Sequence, residues 1–304
     1  MNLFKSLTKK KAGGGALSGK LLNLDAFQLR VEAQVGEGGF ASIYRVVEVR
    51  SKEVFALKHF RTGGEQDALD DALHEIEVLR AVSTCPDALH IWAHQVSEDG
   101  EDVYALLDYC QCSLPTFQQQ HPVLAEKTIF EIFGAVCRAV HCLHSMSPAI
   151  VHRDIKAENV LLHSEGHWVL CDYGSATTQQ KVHGSAAEIA AAEEDIRRHT
   201  TPAYRAPELW DLYAREFCGT AADVWALGCL LYNLCFGQLP FDGEAKLQIL
   251  NGSYKIPSSA RHRGFAKIIE RCLAPKPAQR PSATDLLEAT HALEGLVAQG
   301  AGGG

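Results

Sequence analysis

Asp154, Lys156, Asn159 and Asp172 put two carboxylates, an ammonium group and a carboxamide into one short stretch of the chain. Side chains of these types at this spacing are suited to moving a phosphoryl group. Asp154 and Lys156, two residues apart, can flank one reacting hydroxyl: the carboxylate accepts or orients its proton, and the cation stabilises charge on the γ-phosphoryl oxygens. Asn159 and Asp172 supply hard oxygen ligands of the kind Mg²⁺ prefers. Taken alone, His152-Arg153-Asp154 would arise by chance, and Asp or Asn in a loop usually just caps or turns the backbone. Its weight comes from its neighbours. Asp172-Tyr173-Gly174 and Ala206-Pro207-Glu208 follow it, and Gly36-Glu37-Gly38-Gly39-Phe40-Ala41-Ser42-Ile43 and Phe55-Ala56-Leu57-Lys58 precede it. That order matches the parts of an ATP-dependent phosphotransfer site.

In the upstream part, Gly36, Gly38 and Gly39 would let backbone N–H groups close over phosphates, where side chains would obstruct. The third position of the pattern carries Ala41, a small steric change that ATP binding should survive. Lys58 would bind the α- and β-phosphates. Since burying a lone ammonium beside apolar residues costs several kcal/mol, it needs a partner: Glu75, with neighbouring Glu77 as the alternative. An adenine slot follows from the same frame, with Val35, Ile43 and Ala56 above, Leu161 below, the backbone of Asp108 and Cys110 at the edge, and Leu107 gating the rear. Tyr173 adds a hydroxyl that requires a partner or water.

These groups need elements to hold them. Phe27, Leu29 and Val31 alternate with polar residues as in a half-buried strand, and Ile43–Val49 and Val54–Lys58 continue an antiparallel sheet through short connections. Asp67–Ala81 reads as a helix with Leu69, Leu73, Ile76 and Leu79 on one side and Glu75 in its middle turns. Val103–Tyr109 is apolar enough for a buried strand. From Leu124 the period becomes helical, and further helices are expected over Ala221–Phe236 and Phe265–Leu273. The expected fold is α+β and bilobal, with a small antiparallel β lobe bearing one helix (about 27–108) and a larger, mostly helical lobe (about 112–296). Residues 1–26 form a flexible head and 297–304 a glycine-rich tail.

The 304 residues, 46% of them hydrophobic, suffice for two cores. A net charge of −8 argues against nucleic-acid binding. The 10 cysteines show neither CxxC pairs nor zinc spacing, so buried reduced thiols and a cytoplasmic setting are expected. No apolar run is long enough to span a membrane. Leu3, Phe4 and Leu7 beside Lys5, Lys9, Lys10 and Lys11 are compatible with weak peripheral membrane contact through the N-terminus.

Together, Gly36 to Ile43, Lys58, Glu75, His152 to Asn159, Asp172 to Gly174, Ala206 to Glu208, Asp223-Val224-Trp225 with Gly228, and Arg280-Pro281 resemble the eukaryotic protein-kinase family over about residues 27–296. The resemblance implies that Arg280 pairs with Glu208. Lys156, and Thr200-Thr201-Pro202-Ala203-Tyr204 ahead of Arg205, look like the serine/threonine branch, in which Thr201 would tie the peptide-binding loop to Asp154 and Lys156. A finer match lies in Glu37 to Ala41, Ala149 to Asp154, His167 to Thr177 and Trp225 to Tyr232. These runs look like the Numb-associated kinases, the group of the adaptor-associated and cyclin-G-associated kinases. That likeness implies ATP and Mg²⁺ as cofactors, protein substrates such as clathrin-adaptor subunits or actin-patch proteins, a monomer, and an endocytic location.

The activation segment carries its own physical signal. Ser185-Ala186-Ala187-Glu188 is a capping box, Ala186–Arg198 is rich in helix formers, and Glu193/Arg197 and Glu194/Arg198 are i,i+4 pairs. A helix here would hold the segment open with little need for loop phosphorylation, even though Arg153 could receive a phosphate. Two other classes compete: a pseudokinase scaffold, favoured only by Ala41 and Tyr173, and a small-molecule phosphotransferase, disfavoured by the peptide-docking stretch Thr201–Glu208 and by Asp223.

Overall fold

The computed structural model describes residues 16–38, 41–243, 245–257 and 262–301. Gly39, most of the basic head and the last three glycines lie outside the described residues. The chain divides into two compact units, one comprising residues up to Gln120 with Val160–Gly174, the other His121–Asn159 with the chain from Ser175 onward.

The first unit is built on a six-stranded antiparallel sheet in the order β1-β2-β3-β4-β6-β5. Its strands are β1 (Leu21–Leu24), β2 (Phe27–Glu37), β3 (Ala41–Glu48), β4 (Val54–Arg61), β5 (Ile91–Val96) and β6 (Asp102–Asp108), with α1 (Gln66–Ala81) inserted after β4. Alternation along β4 sorts its two faces. Phe55 and Leu57 pack into an apolar cluster with Leu29, Val31, Tyr44, Val46 and Leu106, so Ala56 and Lys58 point the other way. β7 (Cys110–Ser113), α2 (Leu114–Gln120), β8 (Val160–His163) and β9 (Trp168–Leu170) complete the unit, with β7-β8-β9 forming a second, smaller sheet. The first unit therefore runs past the expected edge at Asp108. β7 pairs with β8 through Cys110↔His163 and Ser113↔Leu161, and that ladder brings the β8–β9 hairpin into the same unit.

The second unit is mostly helical: α3 (Glu126–His144), α4 (Ala186–His199), α5 (Pro207–Trp210), α6 (Ala221–Phe236), α7 (Lys246–Leu250), α8 (Ala266–Cys272) and α9 (Ala283–Ala301). α9 continues beyond residue 296 to Ala301. At its centre is α6, in which 13 of 16 residues are buried; a helix apolar on all sides has nowhere else to go. A Cβ at Gly228 would meet Cys272 Cβ at 2.6 Å, so α6 and α8 approach closely only because that position lacks a side chain. The α+β class is as expected. All ten cysteines are free thiols, and only Cys112 and Cys142 are more than slightly exposed. Among the described residues no helix is long and apolar enough to cross a membrane.

Candidate active site

In the first unit the antiparallel register gathers residues expected to face a nucleotide onto one side of the sheet. Ile43 pairs with Lys58 and Ala56 with Leu107, and directly paired side chains project from the same side of a sheet. Lys58 Nζ donates to Glu75 Oε1 and Oε2 at 2.5 and 2.7 Å and lies 3.9 Å from Asp172 Oδ1. Its side chain is 6% exposed and that of Glu75 is 7%. Burial alone would drive the ammonium toward its neutral form, but Glu75 and Asp172 outweigh it and hold the Lys58 pKa above the ordinary lysine value. Glu75 is thus the partner; Glu77 is exposed on the other side of α1.

Asp172 takes a left-handed backbone conformation with φ 66°, which turns its carboxylate toward Lys58 at a cost of about 1–3 kcal/mol. Tyr173 is fully buried, and its hydroxyl donates to Leu170 O at 3.0 Å. The ring substitution therefore leaves no orphaned polar group. Gly174 passes close to Glu75: a Cβ there would sit 3.3 Å from Oε2.

Around the expected phosphate loop, Gly38 N–H donates to Ala41 O at 2.7 Å, and Ala41 is a buried strand residue opposite Phe60. Val35 sits where the β2–β3 register shifts between Gln34 and Gly36, a local irregularity that re-aims side chains. At the expected adenine edge, Asp108 N–H is already bonded to His90 O at 3.2 Å. Cys110 opens β7, and Leu161, fully buried, lies in β8 opposite Val169.

The second unit holds the expected catalytic loop, and its side chains form a closed network. Asp154 Oδ2 accepts from Lys156 Nζ at 2.5 Å, and Oδ1 accepts from Thr201 Oγ1 at 2.6 Å. Lys156 also donates to Thr201 Oγ1 at 3.0 Å. Asn159 Nδ2 donates to Asp154 O at 2.9 Å and to Oδ2 at 3.3 Å. With its nitrogen engaged by Asp154, the amide oxygen is the atom that could serve in the expected metal-ligand role.

The loop's backbone is held from α6. Asp223, 1% exposed, accepts from His152 N–H at 2.8 Å, Arg153 N–H at 2.9 Å and His144 Nε2 at 2.9 Å. Burial would raise its pKa, but the His144 hydrogen bond and the neighbouring imidazoles hold it below the usual carboxylate value. Arg153 has φ 69°, a strained conformation for a bulky residue that these bonds over-determine. Glu208 and Arg280 form a bidentate pair, both bonds 2.8 Å, with neither side chain exposed.

α4 forms as its pattern predicts. Ser185 and Glu188 make the full capping box. Arg197 meets Glu194, three residues back, at 2.8 Å. Less legible beforehand is the role of Asp195. It forms an ion pair with Arg153 Nη1 and lies 2.8 Å from His199 Nδ1. Its pKa falls to about 2, first through the His199 hydrogen bond and then through Arg153. Arg153 Nε also donates to Ser175 O at 2.5 Å. Nothing in local spacing links residues 153 and 195; only tertiary structure does. The anchoring function of Asp223 was equally invisible, although its motif was not.

Residues 29–291 match the protein kinase domain family. The chain is 36% identical over 277 residues to a probable serine/threonine-protein kinase of Dictyostelium discoideum, covering 88% of this chain and 24% of that protein. A second probable serine/threonine-protein kinase of the same organism is 35% identical over 297 residues, 94% of this chain and 36% of that protein. The serine/threonine-protein kinase sel-5 of Caenorhabditis elegans is 34% identical over 264 residues, 84% of this chain and 24% of that protein. The chain thus spans between 24% and 36% of the length of these relatives.

Proposed function

The chain belongs to the protein kinase domain family, and from that premise we propose that it transfers the γ-phosphoryl group of Mg²⁺-bound ATP to serine or threonine hydroxyls of protein substrates. The observation that carries this is the closed network of Asp154, Lys156, Asn159 and Thr201. Asp154 orients the substrate hydroxyl and accepts its proton. Lys156 stabilises charge on the transferred group, and Thr201 ties both to the segment on which a peptide would lie. In the other unit, Lys58, held protonated by Glu75, grips the phosphates, with Val35, Gly36, Gly38, Ile43, Ala56, Leu107, Asp108, Cys110 and Leu161 assigned to nucleotide binding. Asp172 and Asn159, one in each unit, each offer the hard oxygen that Mg²⁺ prefers, a carboxylate and a carboxamide; the ion would supply neutralisation of developing phosphate charge.

A library of peptides with Ser, Thr or Tyr fixed at the centre, offered with Mg²⁺ and ATP, tests the assignment. Ser and Thr peptides should be phosphorylated, Tyr peptides should not, and Asp172→Ala should lower turnover by about 10²–10³-fold, the range for losing one group that stabilises transition-state charge. Wild-type protein with no more turnover than Asp172→Ala would make the chain a pseudokinase.

We assign the chain further to the Numb-associated kinases, acting on clathrin-adaptor or actin-patch proteins in the cytoplasm. Helix α4 and its capping box support that placement. The Asp195 carboxylate occupies the partner position on Arg153 that a loop phosphate would take. It stays anionic down to about pH 2, whereas a phosphate ester's second ionisation lies near pH 6. Phosphatase-treated enzyme, checked by mass spectrometry, should therefore keep its turnover. Asp195→Ala should lower it by about 5–150-fold, the usual span of coupling between a switch and a site. Loss of nearly all activity on dephosphorylation would refute the built-in anion.

A further inference from the structure

The turn between β8 and β9 gathers side chains that phosphoryl transfer does not use. His163 ends β8, Glu165 lies in the turn, and His167 immediately precedes β9. The turn is closed by His163 N–H donating to His167 O at 2.8 Å and Gly166 N–H to His163 O at 3.0 Å. Gly166 has φ +89°, which a side-chain-bearing residue would resist. One ligand atom from each of His163, Glu165 and His167 lies within 4.8 Å of the other two. The two imidazole centroids are 4.4 Å apart. No other such trio occurs among the described residues.

The hydrogen bonds also set the tautomer of His163. Glu165 N–H donates to Nδ1 at 3.2 Å, so Nδ1 carries the lone pair and Nε2 the proton. Nε2 faces Asp108 Oδ2 at 3.6 Å. Asp108 is itself fixed, accepting from Trp92 Nε1 at 2.8 Å and from His90 N–H at 3.3 Å. A carboxylate behind the second ring nitrogen is the usual means of orienting a metal-binding imidazole and raising its basicity. The lone pair on Nδ1 is directed to the same side as the Glu165 amide, toward the turn.

We propose that His163, Glu165 and His167 bind a divalent cation of the zinc class, with water completing a tetrahedral shell. Two imidazoles and one carboxylate suit Zn²⁺, Co²⁺ or Ni²⁺, whereas Mg²⁺ prefers an all-oxygen shell. Glu165 and His167 are exposed, so they can rotate to bring their donors to about 2.0–2.2 Å from one ion. Metal binding at Nδ1 would displace the 3.2 Å amide contact.

The 304-residue chain, stripped of metal and kept in excess Mg²⁺ to occupy hard-oxygen sites, should be titrated with Co²⁺ by optical spectroscopy and with Zn²⁺ by calorimetry. One equivalent should bind, giving cobalt d–d bands without the near-ultraviolet bands of thiolate ligation. His167→Ala and Glu165→Gln should each weaken binding by at least about tenfold, and His291→Ala, at an exposed position on α9, should leave it unchanged. Glu165→Gln preserves the turn and both rings, so it keeps the test decisive should His167→Ala disturb the hairpin. No binding, binding unaffected by both variants, or thiolate bands pointing to Cys112 or Cys142 would each overturn the site.

Discussion

Asp154→Asn is expected to lower kcat by about 10²–10⁴-fold, the usual contribution of a positioned general base, while the protein stays folded. The carboxamide is nearly isosteric. It can keep its oxygen on Lys156 and turn its nitrogen toward Thr201, whose hydroxyl is able to accept in place of donating to Oδ1. What it cannot do is take a proton. With nucleotide binding proposed for Lys58 and its neighbours in the other unit, ATP affinity should change little, so the loss should appear in kcat and not in the KM for ATP. Lys156→Ala added to Asp154→Asn should cost far less than the product of the single effects, because the two act as one unit. A variant retaining more than about a tenth of wild-type kcat would remove Asp154 from the chemistry.

The second large effect is on stability. Arg280→Ala should destabilise the protein by about 3–5 kcal/mol, the cost of breaking a buried ion pair from one side, measured by urea unfolding. The Glu208 carboxyl group would be left buried without its partner. Arg280 also donates to three backbone carbonyls: Ala221 O at 2.8 Å, Ala274 O at 2.8 Å and Pro275 O at 3.0 Å. Its removal orphans those acceptors as well. Glu208→Ala should therefore cost less than Arg280→Ala, and the double variant less than the sum of the two. Against a total stability of about 5–15 kcal/mol, the Arg280 variant would sit near the edge of unfolding. A shift below about 1 kcal/mol would mean that water reaches the pair and that its burial does not hold in solution.

Both predictions begin from residues that the sequence announces by type and order. The strand Val54–Lys58, the helices Asp67–Ala81 and Ala221–Phe236, and the capping box at Ser185 were legible because each rests on local chemistry: period 2, period 3.6, or a side chain reaching its own backbone. β1, β5 and the β7-β8-β9 sheet were less so. They are short, and their pairing joins segments far apart in the chain, as Cys110 meets His163. The lobe boundary shifted for the same reason, since long-range hydrogen bonds and not composition decide which unit a hairpin joins.

By itself, the amino-acid order determined the inventory of the candidate site: Lys58, Glu75, Asp154, Lys156, Asn159 and Asp172 stand out by type and spacing. Tertiary structure alone decided their state. Glu75 rather than Glu77 meets Lys58, because only one of the two side chains lies on the buried side of α1. Asp223 grips the amides of residues 152 and 153, and Asp195 takes the Arg153 guanidinium, across gaps of about seventy and forty residues. No periodicity encodes such contacts. They arise when packing excludes water, and a buried charge must then find a partner wherever the fold has placed one.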